Sequence, residues 1–259
     1  MAETTHLPHV NRVHFSAPFA WLLVGWRDMK RAPALFAAYG FALAMISVTI
    51  TAILYLTGQF TWVLVLVGGF MIIAPVIATG IYRAAYILET GGHPKLRDLL
   101  STVGEVRSDQ IMLGVALFFL FGLWVEVAYL VYGLSTSAVH RSMLDFLAFM
   151  LTTSEGLQMA LVGTMIGGVI AFIAYAIVVV SAPMLLFKDS DFFIASITSV
   201  RAVFLNCPAM ILWALLIVIM TMIGIATGFL GLVIVFPWIG LSSWHAYRSL
   251  VAPPQTPVS

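Results

Sequence analysis

Glu126 is the one acidic residue set inside a long apolar run, in the stretch Leu123-Trp124-Val125-Glu126-Val127. A carboxyl there can take up and release a proton or cation, hydrogen-bond to a neighbouring helix, or reach for water at a membrane boundary. An acid within a membrane span costs roughly 2.5–3.5 kcal/mol on insertion scales, so it must face protein, water or a partner. The simpler expectation is a packing or docking role, with a proton or cation site as the alternative. Gln158 and Thr164, in a later apolar run, are its candidate partners at this intramembrane polar site.

The six histidines, His6, His9, His14, His93, His140 and His245, all lie outside the centres of the apolar runs. Haem and copper sites in membrane bundles are built from histidines within the helices, so a redox role is not expected. His140 with Asp145 or Glu155 is the best-constrained metal candidate, and solvated loop residues are the expected outcome. There is no nucleophile framed by a base, no phosphate-cradling glycine loop and no Cys/His metal spacing. The single Cys207 excludes an intrachain disulfide. The chain is therefore expected to have no catalytic residues and no cofactor. Arg27, Lys30, Arg31, Arg83, His245 and Arg248 fall near span ends and are candidate contacts to lipid headgroups, with ordinary snorkelling as the simpler account. Asp189 and Asp191 stand where they favour the positive N-terminus of a following helix.

The elements that must position these residues are membrane helices. The 259 residues are 62% hydrophobic and only 9% charged, against about 25% charged in soluble domains. Lipid must solvate most of this surface. A net charge of +1 offers nothing to a nucleic acid. With about 20 apolar residues needed per span, Ala34 to Leu56, Phe60 to Ala84, Ile111 to Tyr132 and Leu157 to Leu186 each read as one crossing. Pro208 to Leu241 would be near 50 Å long at about 1.5 Å per residue, so it is expected to turn at Gly228 and Gly231 and cross twice. The chain is thus expected to be all-α and polytopic, with six transmembrane helices. Eleven of its twelve Lys and Arg residues then fall on one side of the spans, and Arg141 falls alone on the other. Basic residues stay on the cytoplasmic side, which places both termini there.

Ser16 to Arg31, Pro94 to Ser108 and Ser190 to Asn206 are amphipathic and read as helices lying in the inner interface. In the first, Phe19, Leu22, Leu23 and Trp26 form the apolar stripe. One such helix plus two spans recurs three times, giving expected repeat units of about 16–90, 94–187 and 190–250 within a single membrane domain. Residues 1–15 and 251–259 are expected to be flexible tails, and the N-terminus lacks the pattern of a signal peptide. Pro75, Pro183 and Pro237 stand at matching places in the three units and should kink their helices. An insertion from Gly133 to Gly156 holds a short surface helix with Met143, Leu144, Leu147 and Met150. Gly163-Thr-Met-Ile-Gly167 and Gly224-Ile-Ala-Thr-Gly228 allow close helix approach.

The stretch Ser16-Ala-Pro-Phe-Ala-Trp-Leu-Leu-Val-Gly-Trp-Arg-Asp-Met-Lys-Arg-Ala-Pro33 and the later Gly69-Phe-Met-Ile-Ile-Ala-Pro-Val-Ile-Ala-Thr-Gly-Ile-Tyr82 resemble DUF2189, a bacterial family of integral membrane proteins. The resemblance implies a bacterial inner-membrane protein without an established activity. Some members carry the label of a cytochrome c oxidase subunit, which implies association with respiratory complexes and supplies no catalytic residue. The expected function is a non-catalytic accessory, assembly or stabilising subunit of an inner-membrane complex, respiratory or photosynthetic. Its partners would be the lipid bilayer and other membrane-protein subunits. The alternatives are a small transporter or channel using Glu126, and a lipid-handling or membrane-shaping protein.

Overall fold

The computed structural model describes residues 7–59, 61–104, 107–136, 143–187 and 191–251. Among them every regular element is a helix: α1 Ala17–Met29, α2 Pro33–Leu56, α3 Trp62–Ile77, α4 Thr79–Glu89, α5 Leu96–Gly104, α6 Ser108–Ser135, α7 Met143–Thr152, α8 Ser154–Phe187, α9 Phe192–Leu205, α10 Cys207–Ala226 and α11 Leu232–Leu250. Among the described residues five segments are long and apolar enough to cross a membrane: α2, α3 with α4, α6, α8 as far as Leu186, and α10. The expected sixth, α11, is not among them. Its 19 residues reach about 28 Å at the helical rise, but its second half carries Ser242, Ser243, His245 and Arg248.

The helix boundaries follow local chemistry. Asp191 caps α9 by accepting the Ile194 N–H at 2.8 Å, and the Asp109 carboxylate accepts the Phe192 N–H at 3.1 Å. Asp98 does the same for Lys95 ahead of α5, at 2.8 Å. Ser16 precedes α1 without capping it through its side chain. The Thr153 hydroxyl accepts the Gly156 N–H at the start of α8. α10 and α11 are separated by the expected turn, where Gly228 and Phe229 both hold positive φ, 67° and 69°. Gly228 adopts this without strain. The Thr227 hydroxyl braces the turn, accepting the Gly231 N–H at 2.7 Å and donating to the Gly224 carbonyl at 2.8 Å.

Pro75, Pro183 and Pro237 all lie inside helices. Ala78 separates α3 from α4, three residues beyond Pro75. There the Ile81 N–H bonds to the Ala78 carbonyl at 2.9 Å, which leaves the Ile77 carbonyl without its usual helical donor. The Tyr39 hydroxyl donates to it at 2.5 Å. This is the repair that an interrupted membrane helix requires, since lipid offers no donor.

The chain packs into two compact units, and each boundary falls inside a helix. Unit 1 comprises residues 1–44, 75–113 and 176–259, and unit 2 comprises 45–74 and 114–175. This division follows packing, whereas the repeat reading follows sequence order. In unit 1, α11 packs on α1, α4 and α10, and α5 packs on α4. The later part of α8 is buried on all sides from Val178 to Leu185. Residues 10–13 are not a free tail. Val10 is buried, and Asn11 bonds through its backbone to the Leu250 carbonyl and through its side chain to the Ser249 carbonyl. Asn206 accepts the Val13 N–H and donates to the Asn11 carbonyl.

The amphipathic helices α1 and α9 each have one side packed on protein and an exposed apolar side. On α1 the buried residues are Pro18, Trp21, Gly25, Asp28 and Met29, while Phe19 and Leu23 are exposed. Of the stripe picked out by hydropathy, Phe19 and Leu23 face outward, as an interfacial helix requires, while Leu22 and Trp26 are half-buried and Trp26 packs on Trp238. On α9, Phe193, Ile197 and Phe204 are likewise exposed, and Ala195, Thr198, Ser199 and Ala202 are buried.

Candidate functional site

Unit 1 gathers the charges at the ends of α1, α4 and α11. Asp28, near the end of α1, is buried and meets His245 of α11 at 2.7 Å. Arg31 approaches Asp28 at 3.4 Å and donates to the Leu88 carbonyl at 3.0 Å. Glu89, the last residue of α4, accepts from the Trp244 indole and from Arg248, each at 2.9 Å. Arg31, His245 and Arg248, expected among the lipid-headgroup contacts, are therefore engaged with protein carboxylates and a carbonyl. Of the other candidates, Arg27 and Lys30 are exposed, with the Lys30 ammonium 5.4 Å from the centre of the Trp26 ring, and Arg83 is half-buried. Two carboxylates are thus shared among two arginines, a histidine and an indole. They tie three helix ends together.

Unit 2 contains the lone intramembrane acid, and it points outward. Glu126 is exposed and makes no hydrogen bond or ion pair among the described residues. The structure does not bond it to Gln158 or Thr164, both exposed on α8. Gly122, Glu126, Tyr129 and Gly133 follow at spacings of four, three and four, so they share one stripe of α6. Exposed Phe119, Leu123 and Leu130 flank that stripe. A Cβ added at Gly122 or Gly133 would meet nothing within 4 Å. The acid thus sits near the middle of the helix's open face, nine residues before its last residue, Ser135, or about 13 Å along the axis.

Beside this face is a cavity of about 310 Å³. Its wall is largely apolar and includes the aromatic rings of Trp62, Trp124, Tyr129, Tyr132 and Phe146, and Thr164 also lines it. Trp124 is held on three sides. Its indole N–H donates to the Val65 carbonyl at 2.8 Å, and the ring occupies space that a side chain at Gly68 or Gly167 would need. Gly167 therefore serves as a seat for a ring, where the sequence pattern suggested helix-on-helix approach. The expected surface helix, α7, is present, and its buried contact is Phe146 against Met159, Val131 and Tyr132. His140 and Arg141 lie outside the described residues. Among the described residues no cluster of three His, Cys, Asp or Glu could hold a metal.

Asp28, Glu89 and Trp124 are the residues that sequence reasoning missed. Asp28 had a signal, as the lone acid within the basic run from Arg27 to Arg31. Trp124 had only a weak one, lying two residues before Glu126 in a run already rich in aromatics.

No curated protein and no solved structure matches the chain. The family match covers the cavity apart from Thr61 and Trp62, Glu126 and the second of the two resembling stretches, Gly69 to Tyr82, and does not extend to the first, Ser16 to Pro33. Over residues 63–186 the chain matches DUF2189, predicted integral membrane protein, and carries that family's segment.

Proposed function

We propose that this protein is a non-catalytic accessory or assembly subunit of a larger inner-membrane complex, docking through the α6 face around Glu126. The outward position of that acid carries the reading. A carboxyl on a lipid-facing surface loses its hydration and gains nothing, whereas a second membrane helix with a hydrogen-bond donor at the same depth would satisfy it. The open glycines at 122 and 133 allow such a helix to approach closely. An ion-conducting role would instead place the acid inward, and the cavity wall is predominantly apolar.

The topology belongs to the same proposal: six crossings, with both termini cytoplasmic. Asn206 before α10 and Leu250 at the end of α11 both bond to Asn11. The start and the end of this hairpin therefore lie together, as two crossings by α10 and α11 require. Reporter fusions after Ser108 and Ser259 should read cytoplasmic, and one after Asp145 periplasmic.

The function is tested by purification in mild detergent. Wild type and Glu126→Gln should bring down the same stoichiometric membrane partner, since the amide keeps the hydrogen bonds. Glu126→Leu should release the partner while the protein remains folded and inserted. Recovery of the partner with Glu126→Leu at wild-type yield would remove the acid from the interface.

A further inference from the structure

We propose that the cavity above Trp124 is a specific site for the acyl chain of a bilayer phospholipid, lying end-on with its ester group toward the turn end of unit 2. Three observations lead there. The first is preorganisation. Glycine within a helix costs about 1 kcal/mol relative to alanine, yet α3 and α8 place Gly68 and Gly167 against the two edges of one indole. The indole is further fixed by its bond to the Val65 carbonyl. A ring held this firmly at the end of an open space is a surface for something else to pack on. At about 310 Å³ the space lies at the lower end of ligand-site volumes.

The second observation is the polarity gradient. Thr61 comes from the start of α3, Tyr132 from near the end of α6, and Phe146 from α7, so the outer rim belongs to the helix ends. Val65, Trp124 and Val125 lie deeper along their helices and form an apolar floor. A molecule that fits is polar at the rim and apolar below, which is the order of groups in a phospholipid standing in its leaflet. The third is unused hydrogen-bonding capacity. The hydroxyls of Thr61, Tyr129 and Thr164 have no partner among the described residues, whereas Thr49, Thr152 and Thr198 donate to their own helices. An ester carbonyl or phosphate oxygen at the rim supplies an acceptor.

Gly163 supplies the test. It lines the cavity, and a Cβ there would meet only Val131, at 3.8 Å, so a larger side chain fills the space without striking backbone. Gly168 is the control on the same helix, open on its side and not part of the cavity wall. The full chain is delipidated in detergent and titrated with dioleoylphosphatidylglycerol or with oleic acid, followed by native mass spectrometry and thermal unfolding. Wild type and Gly168→Leu should bind one phospholipid and unfold at higher temperature when it is present. Gly163→Leu should bind it about tenfold more weakly or worse, the scale on which a few misplaced methylenes act in an apolar pocket. If Gly163→Leu does not fold, Ala160→Phe blocks the same wall. Equal binding by oleic acid would overturn the ester assignment. Equal lipid retention by wild type and the filled variant, or no retained lipid in wild type, would reduce the cavity to ordinary annular lipid contact and overturn the site.

Discussion

The two units use glycine in opposite ways. In unit 1, glycines bring backbone to backbone. A Cβ at Gly25 of α1 would lie 2.8 Å from the Ser242 amide nitrogen of α11, and one at Gly40 of α2 would lie 2.7 Å from the Val233 carbonyl carbon. In unit 2, the glycines of α3 and of the middle of α8 receive rings: Gly69 takes Phe121, while Gly68 and Gly167 take Trp124, and only Gly156 at the α7–α8 turn meets backbone, that of Phe149 and Met150. Rings inserted between helices hold them apart, and among the described residues the helix pairs with the most extensive packing all belong to unit 1. Close approach leaves room for short polar ties such as Asp28–His245 and Val180 N–H to the Ser199 hydroxyl. Spacing by rings leaves a cavity and an open face instead. One unit is built to hold its own shape, and the other leaves surface open.

That contrast breaks or sharpens under substitution. The largest effect is expected at Gly25→Ala, because the new methyl meets Ser242 backbone that cannot move aside. It should cost about 3 kcal/mol, the upper end for overpacking, read as the loss of thermal and denaturant stability in detergent. A neutral result would mean that the α1–α11 contact relaxes freely, and the rigid-unit reading would fail. Next is Asp28→Ala, which strips His245 and Arg31 of their shared carboxylate. A loss of about 1.5–3 kcal/mol is expected for charged hydrogen bonds, and a double-mutant cycle with His245→Ala should show the two losses to be strongly non-additive. Additive losses would show that the pair is not coupled.

Smaller changes are expected in unit 2. Trp124→Phe keeps a ring between Gly68 and Gly167 but removes the donor to Val65, so about 1 kcal/mol should be lost. Gly168→Ala faces open space and should be neutral or stabilising by up to about 1 kcal/mol through helix propensity alone. A destabilisation at Gly168 as large as that at Gly25 would erase the distinction between the units.

Much of the architecture was legible in the chain. The ends of α2 and the break at Gly228 were readable because hydropathy and turn chemistry act locally. The prolines within α3, α8 and α11 were also visible, but the Tyr39 repair below Pro75 was not, since it joins residues 38 positions apart. Charge gave a partial guide to the sites. His245 and Arg248 read as lipid contacts because their acidic partners, Asp28 and Glu89, come from other helices, whereas the partner of Arg31 stands only three residues before it. The apolar stripe of α1 was legible, but not that the opposite side, with Gly25 and Asp28, packs on protein. A membrane protein has apolar surface on both its lipid side and its protein side, so periodicity cannot distinguish them.

The amino-acid sequence by itself determined that this is an all-helical membrane protein and where most of its helices begin and end. Those features depend on runs of apolar side chains, on prolines and on glycine turns, each acting within a few residues. Tertiary structure alone decided that Glu126 faces outward without a bond to Gln158 or Thr164, that Asp28 and Glu89 gather the cations, and that Trp124 stands between two glycines beside a cavity. These depend on the rotation of each helix about its axis. In a chain this apolar, the hydrophobic pattern is nearly the same all round α6 and α8, so that rotation is set by how rings, glycines and hydrogen bonds fit against neighbouring helices.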